Sequence, residues 1–93
     1  EIFEDVLHSV SDVTGLSSKE ILYNRNEECT DARYLLVKYL GRLMSCVCIG
    51  KMIGRTRQGV RSIMERTKGD TWLLTRNWKE IVKRLESKGY ESK

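Results

Sequence analysis

The stretch Cys46-Val47-Cys48-Ile49-Gly50-Lys51-Met52-Ile53-Gly54-Arg55-Thr56-Arg57-Gln58-Gly59-Val60-Arg61-Ser62-Ile63-Met64-Glu65 decides how the rest of the chain is read. Its spacing suits a helix-turn-helix, two short helices crossing at roughly 90–120° around a tight turn. Close crossing needs a small residue on the first helix, and Gly50 supplies it. The turn needs a residue that tolerates positive φ, and Gly54 stands four residues on. Ile49 and Ile53 on the first helix and Val60 and Ile63 on the second are β-branched aliphatics placed to face a shared core. The helices are expected over about 46–53 and 56–67.

That packing leaves Thr56, Arg57, Gln58, Arg61, Ser62 and Glu65 on the outer face of the second helix. Arginine can bond guanine O6 and N7 together, and glutamine adenine N6 and N7. The N-terminal residues of a recognition helix enter the major groove. Base contacts are therefore expected from Thr56, Arg57, Gln58, Arg61 and Ser62, with Thr56 doubling as N-cap. Lys51 and Arg55 suit phosphates, which position a protein without reading sequence. Gly59 costs helix propensity, roughly 1 kcal/mol against alanine, and leaves a gap suited to close approach of the backbone to something else.

Working outward, every other segment also reads as helix. Ile2, Phe3, Val6, Leu7, Val10 and Val13 recur at three- and four-residue spacing over residues 1–14, and Gly15 stops that run. Ser17 or Ser18 caps a short helix over 19–23, with Glu20 placed to complete a capping box from Ser17. Residues 24–29 read as a polar loop. Thr30 is expected to cap a helix reaching about Arg42, with Asp31 in its first turn and Ala32, Leu35, Leu36, Tyr39, Leu40 and Leu43 as its buried stripe. After Lys68-Gly69, Asp70 or Thr71 caps a last helix reaching about Lys88, and Gly89 follows it as the residue past the C-cap. Its apolar side is expected to carry Trp72, Leu73, Trp78, Ile81, Val82 and Leu85. Of the two tryptophans, one is expected to pack on the domain. Arg76, Lys79, Lys83 and Arg84 make a basic side that offers a second phosphate contact.

Ninety-three residues without proline, 40% apolar and 32% charged, fit one all-α domain spanning 1–93. Charge is unevenly spread. Residues 1–31 carry eight acids against Lys19 and Arg25, a net −6, and residues 32–93 carry fifteen bases against five acids, a net +10. A basic half attracts polyanions. No apolar run approaches the roughly 20 residues of a membrane span, so no membrane association is expected. There is neither a signal-peptide pattern nor an initiator Met, and the chain is expected to be a piece of something longer.

Cys29, Cys46 and Cys48 make a poor disulfide framework and point to a reducing, cytoplasmic compartment. With His8 remote and no second close cysteine pair, they read as small buried apolar residues rather than metal ligands. His8 is expected exposed on the acidic first helix. No carboxylate pair, nucleophile–base set or phosphate-cradling glycine loop is visible, so neither an enzyme nor a cofactor is expected.

The stretch 3–68 resembles the C-terminal DNA-binding domain of the bacterial chromosomal replication initiator DnaA. Three blocks carry the likeness: Ser11-Asp12-Val13-Thr14-Gly15-Leu16-Ser17 through Ile21-Leu22, Ala32-Arg33-Tyr34-Leu35-Leu36-Val37-Lys38-Tyr39-Leu40, and Ile49-Gly50-Lys51-Met52-Ile53-Gly54-Arg55. The resemblance implies a Trp-repressor-like bundle of about six helices. It also implies a basic loop before the third helix that reaches the minor groove. Here that loop is Asn24-Arg25-Asn26-Glu27-Glu28, which leaves Arg25 for the part, as a phosphate contact. Thr56-Arg57-Gln58-Gly59-Val60 stands where the family has Asp-His-Thr-Thr-Val, and the turn is one residue shorter. The family's origin box is therefore not the expected target, and residues 70–88 lie outside the likeness.

The function expected is double-stranded DNA binding by a nucleoid-associated transcription or replication regulator of a bacterium or mobile element. A lone small reader binds weakly, so a homodimer or fusion to another domain is expected with it. The competing reading is a helical adaptor docking proteins through the acidic first helix or the tryptophan-bearing last one.

Overall fold

The computed structural model describes residues 2–65 and 71–89. Among them are six helices: α1 (Ile2–Thr14), α2 (Ser18–Tyr23), α3 (Glu27–Leu40), α4 (Cys46–Ile53), α5 (Arg57–Met64) and α6 (Trp72–Ser87). The all-α expectation holds, and the chain forms a small helical bundle.

Helix α3 is the axis of the bundle, packing against α1, α2, α5 and α6, while α1 also packs on α6. Val6 and Val10 of α1, Ile21 of α2, Leu35, Leu36, Tyr39 and Leu40 of α3, Ile49 of α4, Val60 of α5, and Ile81 and Leu85 of α6 are shut from solvent together. Helices α2 to α6 each begin at a short polar side chain that satisfies a backbone N–H the first turn leaves open. At α2 the pair is reciprocal: Glu20 N–H donates to Ser17 Oγ (3.2 Å), and Ser17 N–H donates to Glu20 Oε1 (3.0 Å). Gly15 ends α1 with φ +76°, and Gly89 follows α6 with φ +96°.

Several boundaries differ from those expected. Helix α3 starts four residues earlier, because Asn26 outcompetes Thr30 as cap: its Oδ1 accepts the Cys29 N–H at 2.8 Å. Glu27 and Glu28, rather than Asp31, then occupy the first turn, and Cys29 is carried into the core. The same helix ends at Leu40 instead of Arg42. There Arg42 N–H bonds Tyr39 O and Leu43 N–H bonds Leu40 O, tightening the chain into a turn that leaves Leu43 half-buried. Helix α5 stops at Met64, with Glu65 as C-cap. The expected ending at Thr67, the Lys68-Gly69 break and the Asp70 cap lie outside the described residues, and Thr71 is the cap of α6.

The apolar side of α6 is also rotated from the one expected. Trp72 and Leu73 are 75% and 51% exposed, and Leu74 is buried in their place. Once Thr71 sets the start, the core-facing positions are 74, 78, 81 and 85, a helical stripe that 72 and 73 miss. Trp78 is the tryptophan that packs, its ring 5.9 Å from that of Tyr39. Of the three free cysteines, Cys29 is buried, Cys46 is half-buried and Cys48 is exposed, so the reading of all three as core residues fails for Cys48. Among the described residues no three His, Cys, Asp or Glu side chains gather as a metal site, and no helix is long and apolar enough to cross a membrane.

Candidate functional site

Helices α4 and α5 are joined by Gly54, Arg55 and Thr56. Gly54 is left-handed (φ 72°, ψ 34°), as its position in the sequence required. The Arg55 N–H donates to Gly50 O at 2.8 Å, and the Gly54 N–H bonds the same carbonyl. Gly50 is small for a reason more local than helix crossing: a Cβ there would run into the Arg55 carbonyl oxygen, a backbone atom that cannot swing away. The turn thus folds back on the helix that precedes it.

Thr56 then caps α5, its Oγ1 accepting the Gly59 N–H at 3.0 Å. Gly59 serves this cap more than any approaching ligand, since a Cβ on it would sit 3.3 Å from Thr56 Oγ1. Val60 is fully buried and anchors the inner face; Ile63, expected in the core, is only half-buried beside it. Thr56, Arg57, Gln58, Arg61, Ser62 and Glu65 are all exposed on the other side. Arg61 Nε lies 3.5 Å from Glu65 Oε2, a solvent-exposed pair one turn apart. Such pairs contribute about 0.3–0.5 kcal/mol, so a competing anion displaces them easily.

Lys51 is exposed on α4, Arg55 in the turn, and Arg25 in the α2–α3 connection. What relates the last two is a residue the sequence reading passed over. Arg33 of α3 is 6% exposed. Its Nε donates to Ile21 O at 2.8 Å and its Nη2 donates to Asn24 O, closing the C-terminal end of α2. The negative end of a helix dipole suits a cation there. Burial holds its pKa below the usual arginine value, with Arg55 next in effect; Cys29 opposes and Arg25 adds. Arg25 and Arg55 are therefore both within electrostatic reach of one buried guanidinium. A depression of about 350 Å³ opens between α3 and α5, lined by Thr30, Arg33, Tyr34, Arg55, Gly59 and Ser62 among others. Nothing local marks Arg33 for burial, since its partners lie 12 and 9 residues back along the chain.

The comparisons with known proteins add nothing to this geometry. No protein-family model, curated protein or solved structure matches the chain.

The basic side expected on α6 is divided by the fold. Arg84 is engaged by acids, with Nη1 3.6 Å from Asp12 Oδ2 of α1 and Nε 3.4 Å from Glu80 Oε1. Asp12 also faces His8 Nδ1 at 3.4 Å, so His8, exposed as expected, has a neighbour. Arg76 lies over the exposed Trp72 ring at 5.3 Å. Lys79 and Lys83 instead line a depression with Arg42, Trp78, Val82 and Glu86. Burial raises the Tyr39 phenol pKa above its ordinary value, Arg42 opposing and Glu86 adding.

Proposed function

We propose that the chain binds double-stranded DNA with α5 in the major groove. Arg57, Gln58 and Arg61 read base edges, Thr56 and Ser62 add hydroxyl contacts, and Lys51, Arg55 and Arg25 hold phosphates. The observation that carries the reading is the division of α5. One side is anchored by buried Val60, and the other exposes these polar side chains, of which the Thr56 oxygen caps the helix and Arg61 makes an exposed pair with Glu65. A binding module of this kind needs no catalytic step. The likeness to the DnaA C-terminal domain supports a bacterial replication or transcription regulator with a target other than the family's box.

Fluorescence anisotropy on duplexes of varied sequence, titrated with salt, tests the proposal. Each phosphate contact adds about −0.9 to the log–log slope. Arg57→Ala is expected to erase sequence preference, and Lys51→Ala to weaken all duplexes alike. A flat salt response, or a base preference altered by Lys51→Ala alone, overturns it.

A second reading, protein docking, is favoured by one observation: Trp72 and Leu73 stand exposed side by side at the start of α6. A stable protein partner lost in Trp72→Ala, with no DNA retained at physiological salt, would establish it instead.

A further inference from the structure

Three depressions follow one another along α3. The first, beside α5, holds Arg33, Tyr34 and Arg55. The second, about 300 Å³, is lined by Tyr34, Lys38, Gly41, Arg42 and Met64. The third, about 310 Å³, lies between Arg42 and the Lys79–Lys83 side of α6. Tyr34 belongs to the first and second, and Arg42 to the second and third, so the three form one trough. From Tyr34 to the end of α3 at Leu40 it runs about 9 Å at the rise of a helix, and Arg42 extends it. That length is enough for about two successive phosphates of one strand.

Among the described residues, its walls carry Arg33, Arg55, Lys38, Arg42, Lys79 and Lys83 against one acid, Glu86. Arg42 and the Lys79–Lys83 side of α6 line the same depression beside Trp78, so an anion seated there meets cations from two separate segments. Resting on the DNA-binding reading, we infer that this trough seats a stretch of duplex phosphate backbone flanking the one that α5 reads.

The aromatic residues say which nucleic acid. Single strands are held by bases stacking on open aromatic faces. The Trp78 ring is covered: Lys38 Nζ lies 4.6 Å and the Arg42 guanidinium 5.6 Å from its centre. Lys38 also lies 5.6 Å from the Tyr34 ring. Rings so occupied hold cations in position and leave little face for a base. The partner is a phosphate backbone in a duplex.

The experiment compares the intact protein with Lys79→Gln/Lys83→Gln, Arg42→Gln and Arg57→Ala in salt-titrated anisotropy on duplex and single-stranded DNA of equal length. Lys79 and Lys83 are exposed, and thermal melts of the variants establish that they fold. The double lysine variant is expected to lose about 1–2 from the salt slope and at least tenfold in low-salt affinity, equally on every duplex. Arg42→Gln is expected to lose about 1. An unchanged slope in both overturns the trough while leaving α5 as the reader. Lost slope in the lysine variant together with an unaltered base preference in Arg57→Ala supports the trough and removes α5. Tighter binding to the single strand overturns the duplex assignment, and failure of the intact protein to bind any duplex overturns both readings.

Discussion

The molecule contains two connections of the same length between a short helix and the next: residues 24–26 from α2 to α3, and residues 54–56 from α4 to α5. Each ends in an N-cap, Asn26 or Thr56. They close their carbonyls differently. At the first, the open carbonyls of Ile21 and Asn24 are satisfied by the guanidinium of Arg33, reaching in from another helix. At the second, backbone does the work: Gly50 O receives the N–H groups that follow it, made possible by the left-handed Gly54. A turn closed by side chains ties a charged group into the interior. A turn closed by backbone leaves Arg55, Arg57 and Arg61 at the surface, Arg61 in an exposed pair with Glu65 that is easily displaced, and such residues can be given to a ligand. By spacing alone both segments would pass as helix-turn-helix; the chemistry of closure separates them.

Removing each closure tests that contrast. Arg33→Met takes a buried charge from two backbone acceptors and leaves both unsatisfied. Hydrogen bonds to charged groups contribute about 1.5–3 kcal/mol, so a loss of about 2–3 kcal/mol in urea unfolding is expected. A loss under about 0.5 kcal/mol would show that the first turn is held otherwise. Gly50→Ala sets a methyl group against the Arg55 carbonyl, and overpacking of this kind costs about 1–3 kcal/mol. Because the strain falls on the turn, amide shifts in NMR spectra are expected to move most at residues 54–57. Shifts confined to α4 would contradict the role given to Gly50.

Gly54→Ala forces an L-residue into the left-handed region, at about 1–2 kcal/mol. Asn24→Gly, by contrast, changes a position at φ −73° that any residue adopts. Chemical denaturation of the two variants side by side should show the larger loss at Gly54; the reverse order breaks the contrast.

The smallest effect concerns pH and the cap of α2. Hydrogen bonds from Ser17, backbone first and side chain second, hold the Glu20 carboxyl below the usual carboxylate value. A group whose folded pKa is depressed adds stability above its unfolded pKa and loses it as pH falls through the folded one. Helix α2 is therefore expected to weaken only in acid, below the ordinary carboxylate range. In an NMR titration, Ser17→Ala is expected to move the Glu20 midpoint upward. An unmoved midpoint would mean that the cap exerts no hold on that carboxyl.

Much of this was legible beforehand. The Ser17–Glu20 box, the extent of α4, the Gly54 turn and the outward set on α5 each depend on residues within four positions of one another. Contacts at that range repeat wherever the same residues stand in the same order. The errors arose where two local solutions competed. Asn26 and Thr30 both can cap a helix, and Trp72, Leu73 and Leu74 all can face a core. Which wins depends on which stripe meets the rest of the bundle.

What the amino-acid order determined by itself is an all-α chain with a two-helix unit whose second helix is polar on one side, because caps, periodicity and glycine turns are short-range. Tertiary structure alone decided that Arg33 is buried and bonded to α2, that Asp12 meets Arg84, that Lys38 lies over Trp78, and that Arg42 shares a depression with Lys79 and Lys83. Those partners are far apart along the chain, and only the packing of α1, α2 and α6 around α3 brings their charges within reach.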